Sequence, residues 1–166
     1  LPLVEGDCMM HRQASFYSAF LPEGTPTGPG GVDVFYFPSG TTGEKPVLGG
    51  GTLAAAFDDR PEVWAVMDYY ATAEYSQNRQ VAQQTRKGGQ LSGYLSANLN
   101  MDLSVFLPLE QTMIGIMLNA EVLRFDGSDL MPAAVGAGSF WTEGTSAVNG
   151  DKSVDDAVTA IDASWP

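Results

Sequence analysis

Apolar positions along this chain follow two regimes, and the change falls near residue 58. Before it, short apolar runs are separated by clusters of glycine and proline. Leu21 to Gly31 and Pro38 to Pro46 are loops by these breakers. Between them Val32 to Phe37 is an almost continuous run of β-forming residues, the pattern of a buried central strand. Val47 to Phe57 is its expected partner. Gly49, Gly50 and Gly51 interrupt that partner where the backbone can turn sharply or approach a ligand closely.

Beyond residue 58 the period becomes helical. Asp58 or Asp59 is placed to cap a helix opening near Pro61, in which Trp64, Met67, Ala71 and Tyr75 form a core-facing stripe. Gln77 to Gln90 is polar and mildly basic through Arg79, Arg86 and Lys87, which predicts a solvated helix or loop. Pro108 opens another helix, with Leu109, Met113, Ile116, Ala120 and Leu123 on one face and its end at Arg124. A further helix is expected near Met131-Pro132, although Gly136, Gly138 and Gly144 lower its propensity. The last helix has Ser153 as N-cap with Asp156 three residues on, and its expected buried face is Val154, Ala157, Val158 and Ile161. No internal repeat is visible.

At 166 residues the chain suits one domain with a sizeable core, and 44% hydrophobic residues are too many for a disordered tail. No apolar run is long enough to span a bilayer. The net charge of −12 repels nucleic acid and anionic membrane surfaces, which excludes a phosphate-tracking role. One cysteine, Cys8, permits no internal disulfide, and one histidine, His11, builds no metal cluster by itself.

Catalysis finds little support. Cys8 and His11 lie three residues apart, on opposite faces if the segment is a strand, which is not a nucleophile and base arrangement. A small thiol and a backbone-bonded histidine are the simpler reading. There is no phosphate loop, dinucleotide fingerprint or zinc motif, and Gly49-Gly50-Gly51 is not followed by the lysine and serine or threonine pair that a phosphate loop requires. No catalytic residue, cofactor or metal is expected. The enzymatic alternative is a glycan hydrolase fragment using Asp126 and Asp129, since glycosidase carboxyls stand about 5 to 9.5 Å apart. The same residues also suit turn and cap roles, with Gly127 at the turn and Asp129 or Ser128 capping the helix at Met131-Pro132. A non-catalytic interaction domain is a third possibility.

The run Arg124-Phe125-Asp126-Gly127-Ser128-Asp129-Leu130-Met131-Pro132, followed by Gly136-Ala137-Gly138-Ser139-Phe140-Trp141, packs carboxylates, an arginine and an aromatic pair into one segment. An indole such as Trp141 can stack on the apolar face of a pyranose while polar groups bond its hydroxyls, or it can be core. Arg124 can bond hydroxyls, respond to a helix dipole or pair with Asp126 or Asp129. Phe140, Trp64 and Trp165 are assigned to packing.

This run resembles the C-terminal part of the extracellular solute-binding proteins that deliver sugars to ABC importers, especially the α-glucoside-type branch. Four further segments are similar in the same order: Gly6 to Phe16, Gly31 to Pro38, the Gly49-Gly50-Gly51 turn, and Gly150-Asp151-Lys152-Ser153 to Ala163-Ser164-Trp165-Pro166. The resemblance implies an α/β fold of the type II periplasmic-binding-protein kind, with a few strands and mostly helices. Residues 1–166 are then one domain-sized C-terminal piece of a two-lobe protein. Gly6 to Phe16 would be the strand crossing back between lobes. The implied ligand is a sugar or oligosaccharide, held by Trp141, Arg124, the backbone at Gly49, Gly50 and Gly51, and the carboxylates Asp126 and Asp129. The implied partners are the permease subunits of the importer, not nucleic acid. The implied location is extracellular or periplasmic, with lipid anchoring through residues outside this chain.

Overall fold

The computed structural model describes residues 1–38 and 43–166. Residues 39–42 of the expected loop at 38–46 lie outside that description. The described residues gather into two compact units, Leu1–Lys45 with Leu53–Glu121, and Pro46–Thr52 with Val122–Pro166. The chain passes from one unit to the other three times, at 45/46, 52/53 and 121/122.

The first unit opens with the short helix α1 (Pro2–Glu5), closed by Gly6 in the left-handed conformation at φ 86°. No strand follows over 6–16, contrary to expectation. The segment's polar groups are instead used locally: the Cys8 thiol donates to the Met10 carbonyl at 2.8 Å, and the His11 ring lies 4.5 Å from that of Tyr17. Val32 to Phe37 is not a central strand either. Val32 spends its N–H on the Pro26 carbonyl and its carbonyl on the Gly28 N–H, so a tight loop consumes the groups a ladder needs. Burial alternates instead of being continuous: Val32 and Val34 pack on the core residues Leu21, Leu91 and Leu109, while Phe35 and Phe37 are exposed.

Pro61 starts α2 (Pro61–Tyr70) as expected, but neither aspartate caps it. Asp58 pairs with Arg60 at 2.8 Å, and Asp59 accepts the Trp64 indole N–H at 2.7 Å. The expected stripe is broken at Thr72, whose hydroxyl donates to the Tyr69 carbonyl and accepts the Tyr75 N–H, ending one helix and capping the next, α3 (Ala73–Arg86). No residue of α2 is buried, and Trp64 is half exposed, so it is not a core residue. α3 covers most of the segment read as solvated, yet Ser76 and Gln80 on it are buried.

Ser76 accepts the Ser96 hydroxyl at 2.9 Å, and Gln80 faces Glu110, which lies in α4 (Pro108–Leu118) and has no exposure at all. Its carboxylate accepts the N–H and hydroxyl of Ser92, both at 2.7 Å, the Leu107 N–H at 3.0 Å, the Gln80 amide at 2.9 Å and the Gly93 N–H at 3.3 Å. A second apolar cluster, Met101, Phe106 and Ile114, completes this unit's core. α4 stops at Leu118, short of the expected Arg124, with the Asn119 amide turned back onto the Gly115 carbonyl at 2.7 Å.

The second unit holds the sheet. β1 (Pro46–Gly49) is four residues rather than eleven, and it pairs in parallel with β2 (Val122–Phe125), not with Val32 to Phe37. Leu123 and Arg124 are therefore strand residues, and Leu123 is exposed rather than buried on a helix face. A 3₁₀ turn at Ser128–Leu130 leads into a helical run that contains a π turn at Val135–Ser139 and continues as α5 (Phe140–Asn149). Gly150, left-handed at φ 81°, ends α5 and turns the chain into α6 (Val154–Asp162), which packs on α5. The Ser139 and Ser164 hydroxyls meet at 2.6 Å, and Lys152 pairs with Glu143. In α6 Ala157 is buried, but Val154 and Val158 are exposed, contrary to the expected face; Trp165, expected in the packing, is half exposed.

Ser153 caps α6 as read from the sequence, accepting the Asp156 N–H at 3.1 Å. Ser153→Ala is expected to lower stability by about 1 kcal/mol. A shift in the denaturant midpoint measures it, and an unshifted midpoint would mean the cap contributes nothing.

Among the described residues helices dominate and no helix is long and apolar enough to cross a membrane. No group of three or more His, Cys, Asp or Glu side chains is placed to hold a metal ion among them.

Candidate functional site

Parallel strands finish at the same edge, so the carboxyl ends of β1 and β2 bring the residues that follow them together. Gly50 and Gly51 follow β1, and Asp126 follows β2. The Asp126 N–H donates to the Gly49 carbonyl at 3.1 Å and extends the pairing by one step. In open parallel α/β sheets, ligands bind outside this edge. Gly50 is tight against the loop after β2: a Cβ placed on it would stand 3.2 Å from a carboxylate oxygen of Asp129.

Asp126 makes the turn that carries Asp129. Its carboxylate accepts the Ser128 N–H at 2.9 Å and hydroxyl at 2.8 Å, and these two bonds hold its pKa below the usual carboxylate range against a smaller opposing effect of desolvation. Neither Ser128 nor Asp129 caps the following helix, as the sequence reading allowed. Ser128 is committed to Asp126, and Asp129 is an exposed residue of the 3₁₀ turn beside Gly50.

Trp141 stands in the first turn of α5 and is 64% exposed, so it is not a core residue. With Ser128, Asp129, Met131, Ala133, Gly136 and Ala137 it lines an open depression of about 230 Å³. Phe140, expected in the core, is exposed as well. Arg124 lies on β2 opposite Leu48, not at a helix end, and is exposed. Among the described residues it forms no ion pair with Asp126 or Asp129. The structure thus joins Asp129 and Trp141 in one depression with Gly50 beside it. Arg124, Asp126, Gly49 and Gly51 belong to the same unit but do not line that depression.

The chain is 35% identical over 163 residues to the osmoprotective compounds-binding protein GgtB of Synechocystis sp., a match covering 96% of this chain and 35% of the relative. It is 38% identical over 161 residues to the alpha-glucosides-binding periplasmic protein AglE of Rhizobium meliloti, covering 95% of this chain and 33% of the relative. The chain is thus similar to two solute-binding proteins over nearly its whole length. It spans about a third of the length of these two. No protein-family model and no solved structure matches it.

Asp126 does not suit the general-acid role in the hydrolase alternative. A glycosidase general acid needs a carboxyl whose pKa is raised, whereas Asp126 is held ionised by Ser128. Sequence reasoning selected Trp141 and Asp129 by residue type and missed Ser128, Met131 and Gly136 as lining. The available signal was the pair Gly136 and Gly138 inside an otherwise helical stretch, where such glycines mark close packing.

Proposed function

We propose that this chain is the C-terminal portion of a two-lobe solute-binding protein, of the type II periplasmic-binding fold, that passes a sugar or oligosaccharide of the α-glucoside class to ABC permease subunits. Identity of 35% and 38% to two small-solute-binding proteins over nearly the whole chain is the observation that carries this reading. The site supports it: an exposed indole for a pyranose face, with Asp129 and the Gly50 backbone beside it for hydroxyls. Arg124, Asp126, Gly49 and Gly51 belong to the same surface in this reading, reached by a ligand longer than one ring. The protein works outside the cytoplasmic membrane, extracellular or periplasmic, and is lipid-anchored through residues outside this chain. Closure of two lobes around the ligand creates the form the permease reads.

A sugar panel titrated calorimetrically into the full natural polypeptide tests this function. Binding without turnover supports it, product formation replaces it with the hydrolase, and silence replaces it with an interaction domain. The depression of about 230 Å³ is smaller than the roughly 300–1,000 Å³ of complete ligand pockets, as one wall of a cleft would be. A sugar that binds the full polypeptide tightly is therefore expected to bind the isolated chain at least 100-fold more weakly, because a single wall leaves most of the ligand in water. Equal affinity in both would show a complete site in this segment and end the two-lobe reading.

A further inference from the structure

The depression depends on an irregularity in the helix beneath it. A π turn accommodates one residue more than the α-helical ladder, which rotates everything after it by about 100° relative to what came before. The π turn at Val135–Ser139 lies between Ala133 and Trp141, both of which line the depression. Gly136 sits inside it, buried, with the preceding turn pressed directly on its backbone. A Cβ there would stand 2.1 Å from the Ser128 carbonyl oxygen and 3.1 Å from the Met131 Cβ. The turn cannot easily give way, because Ser128 is tied to Asp126 by two bonds and Asp126 is tied to Gly49 by a third. Gly138, two residues on, is different: a Cβ would meet only the Ala133 carbonyl, at an ordinary 3.6 Å.

We propose that Gly136 and its π turn are a positioning device that sets the gap between Asp129 and Trp141, and so determines which hydroxyl-bearing sugar ring, stacked by its apolar face, the depression accepts. This rests on the proposed sugar-binding function. Gly136 lines the depression but offers no side chain to a ligand; it acts by letting the Asp129 turn lie flat on the helix that carries Trp141.

The test uses the full natural polypeptide with trehalose and maltose as probes, measuring affinity, melting temperature and helix content for four variants. Gly138→Ala is expected to bind within about two-fold of the parent. Gly136→Ala is expected to lose ten-fold or more while remaining helical. Deleting Gly138, which lies in the π turn but does not line the depression, restores a regular α-helical register and is expected to lose affinity without loss of helix content, an outcome a merely structural role would not produce. Trp141→Ala separates the two readings. If it loses affinity while Gly136→Ala and the deletion bind normally, the site stands and the positioning device falls. If Trp141→Ala also binds normally, the site itself is wrong. If neither Gly136→Ala nor the deletion folds, the π turn is a folding element and the proposal is overturned.

Discussion

Replacing Glu110 by alanine is expected to destabilise this protein by about 3 to 5 kcal/mol, the largest effect of any single substitution argued from this structure. Glu110 has no exposure, and the change would strand three backbone N–H groups and the Gln80 amide N–H in a site that water does not reach, leaving the Ser92 hydroxyl to the Gln80 amide oxygen alone. The melting temperature is expected to fall by about 10 °C. Glu110→Gln should recover only part of this, since one end of an amide is itself a donor and must face donors. Ser92→Ala, which removes one hydroxyl from the same cluster, should cost about 1 to 3 kcal/mol. Denaturant titration of the three variants gives the ranking, and a Glu110→Ala loss below 1 kcal/mol would refute the account of this cluster.

Trp141→Ala is expected to weaken sugar binding by the full natural polypeptide ten- to a hundred-fold and to leave the melting temperature nearly unchanged. The two halves of this expectation have separate causes. A stacking aromatic contributes about 1 to 3 kcal/mol to binding, whereas a side chain that is 64% exposed leaves little cavity when truncated. Trp141→Phe keeps a ring and should recover part of the affinity. A sharp drop in melting temperature would return Trp141 to a structural role, and intact affinity in a folded variant would remove it from the site.

Signals confined to a few neighbouring residues were legible in the sequence. Proline at the first position of α2 and α4, and Ser153 with Asp156 at the start of α6, depend on the backbone within one turn. What failed depended on partners far along the chain. The apolar spacing Met113, Ile116, Ala120, Leu123 runs through Asn119 as if the helix continued, but Val122 to Phe125 pairs with β1, whose residues lie far back in the sequence. Val32 to Phe37 has the composition of a strand and makes none, because a proline and glycine loop takes the hydrogen bonds of Val32. Glu110 reads as an ordinary acidic residue in a first helical turn, and nothing local reveals that Gln80, Ser92 and Gly93 converge on it. The site was half legible for the same reason. Trp141 and Asp129 declare themselves by chemistry, while the depression they share is made by the contact of Gly136 with Ser128.

Because β1 leaves the ribosome long before β2, its apolar edge must wait. Lys45 and Glu121, the residues just before the two strands, bond each other through backbone and side chain across a separation of 76 positions. At usual synthesis rates that interval takes about 4 to 15 s, while helices such as α2 to α4 form in microseconds. The intervening segment can therefore be folded before Val122 appears, and closing it shortens a loop whose entropy otherwise opposes pairing by about 4 kcal/mol. During the wait β1 is an unpaired strand that invites association with other nascent chains. Its brevity, a proline at its first residue, a lysine just before it and glycines after it are the features that discourage such association at an open edge.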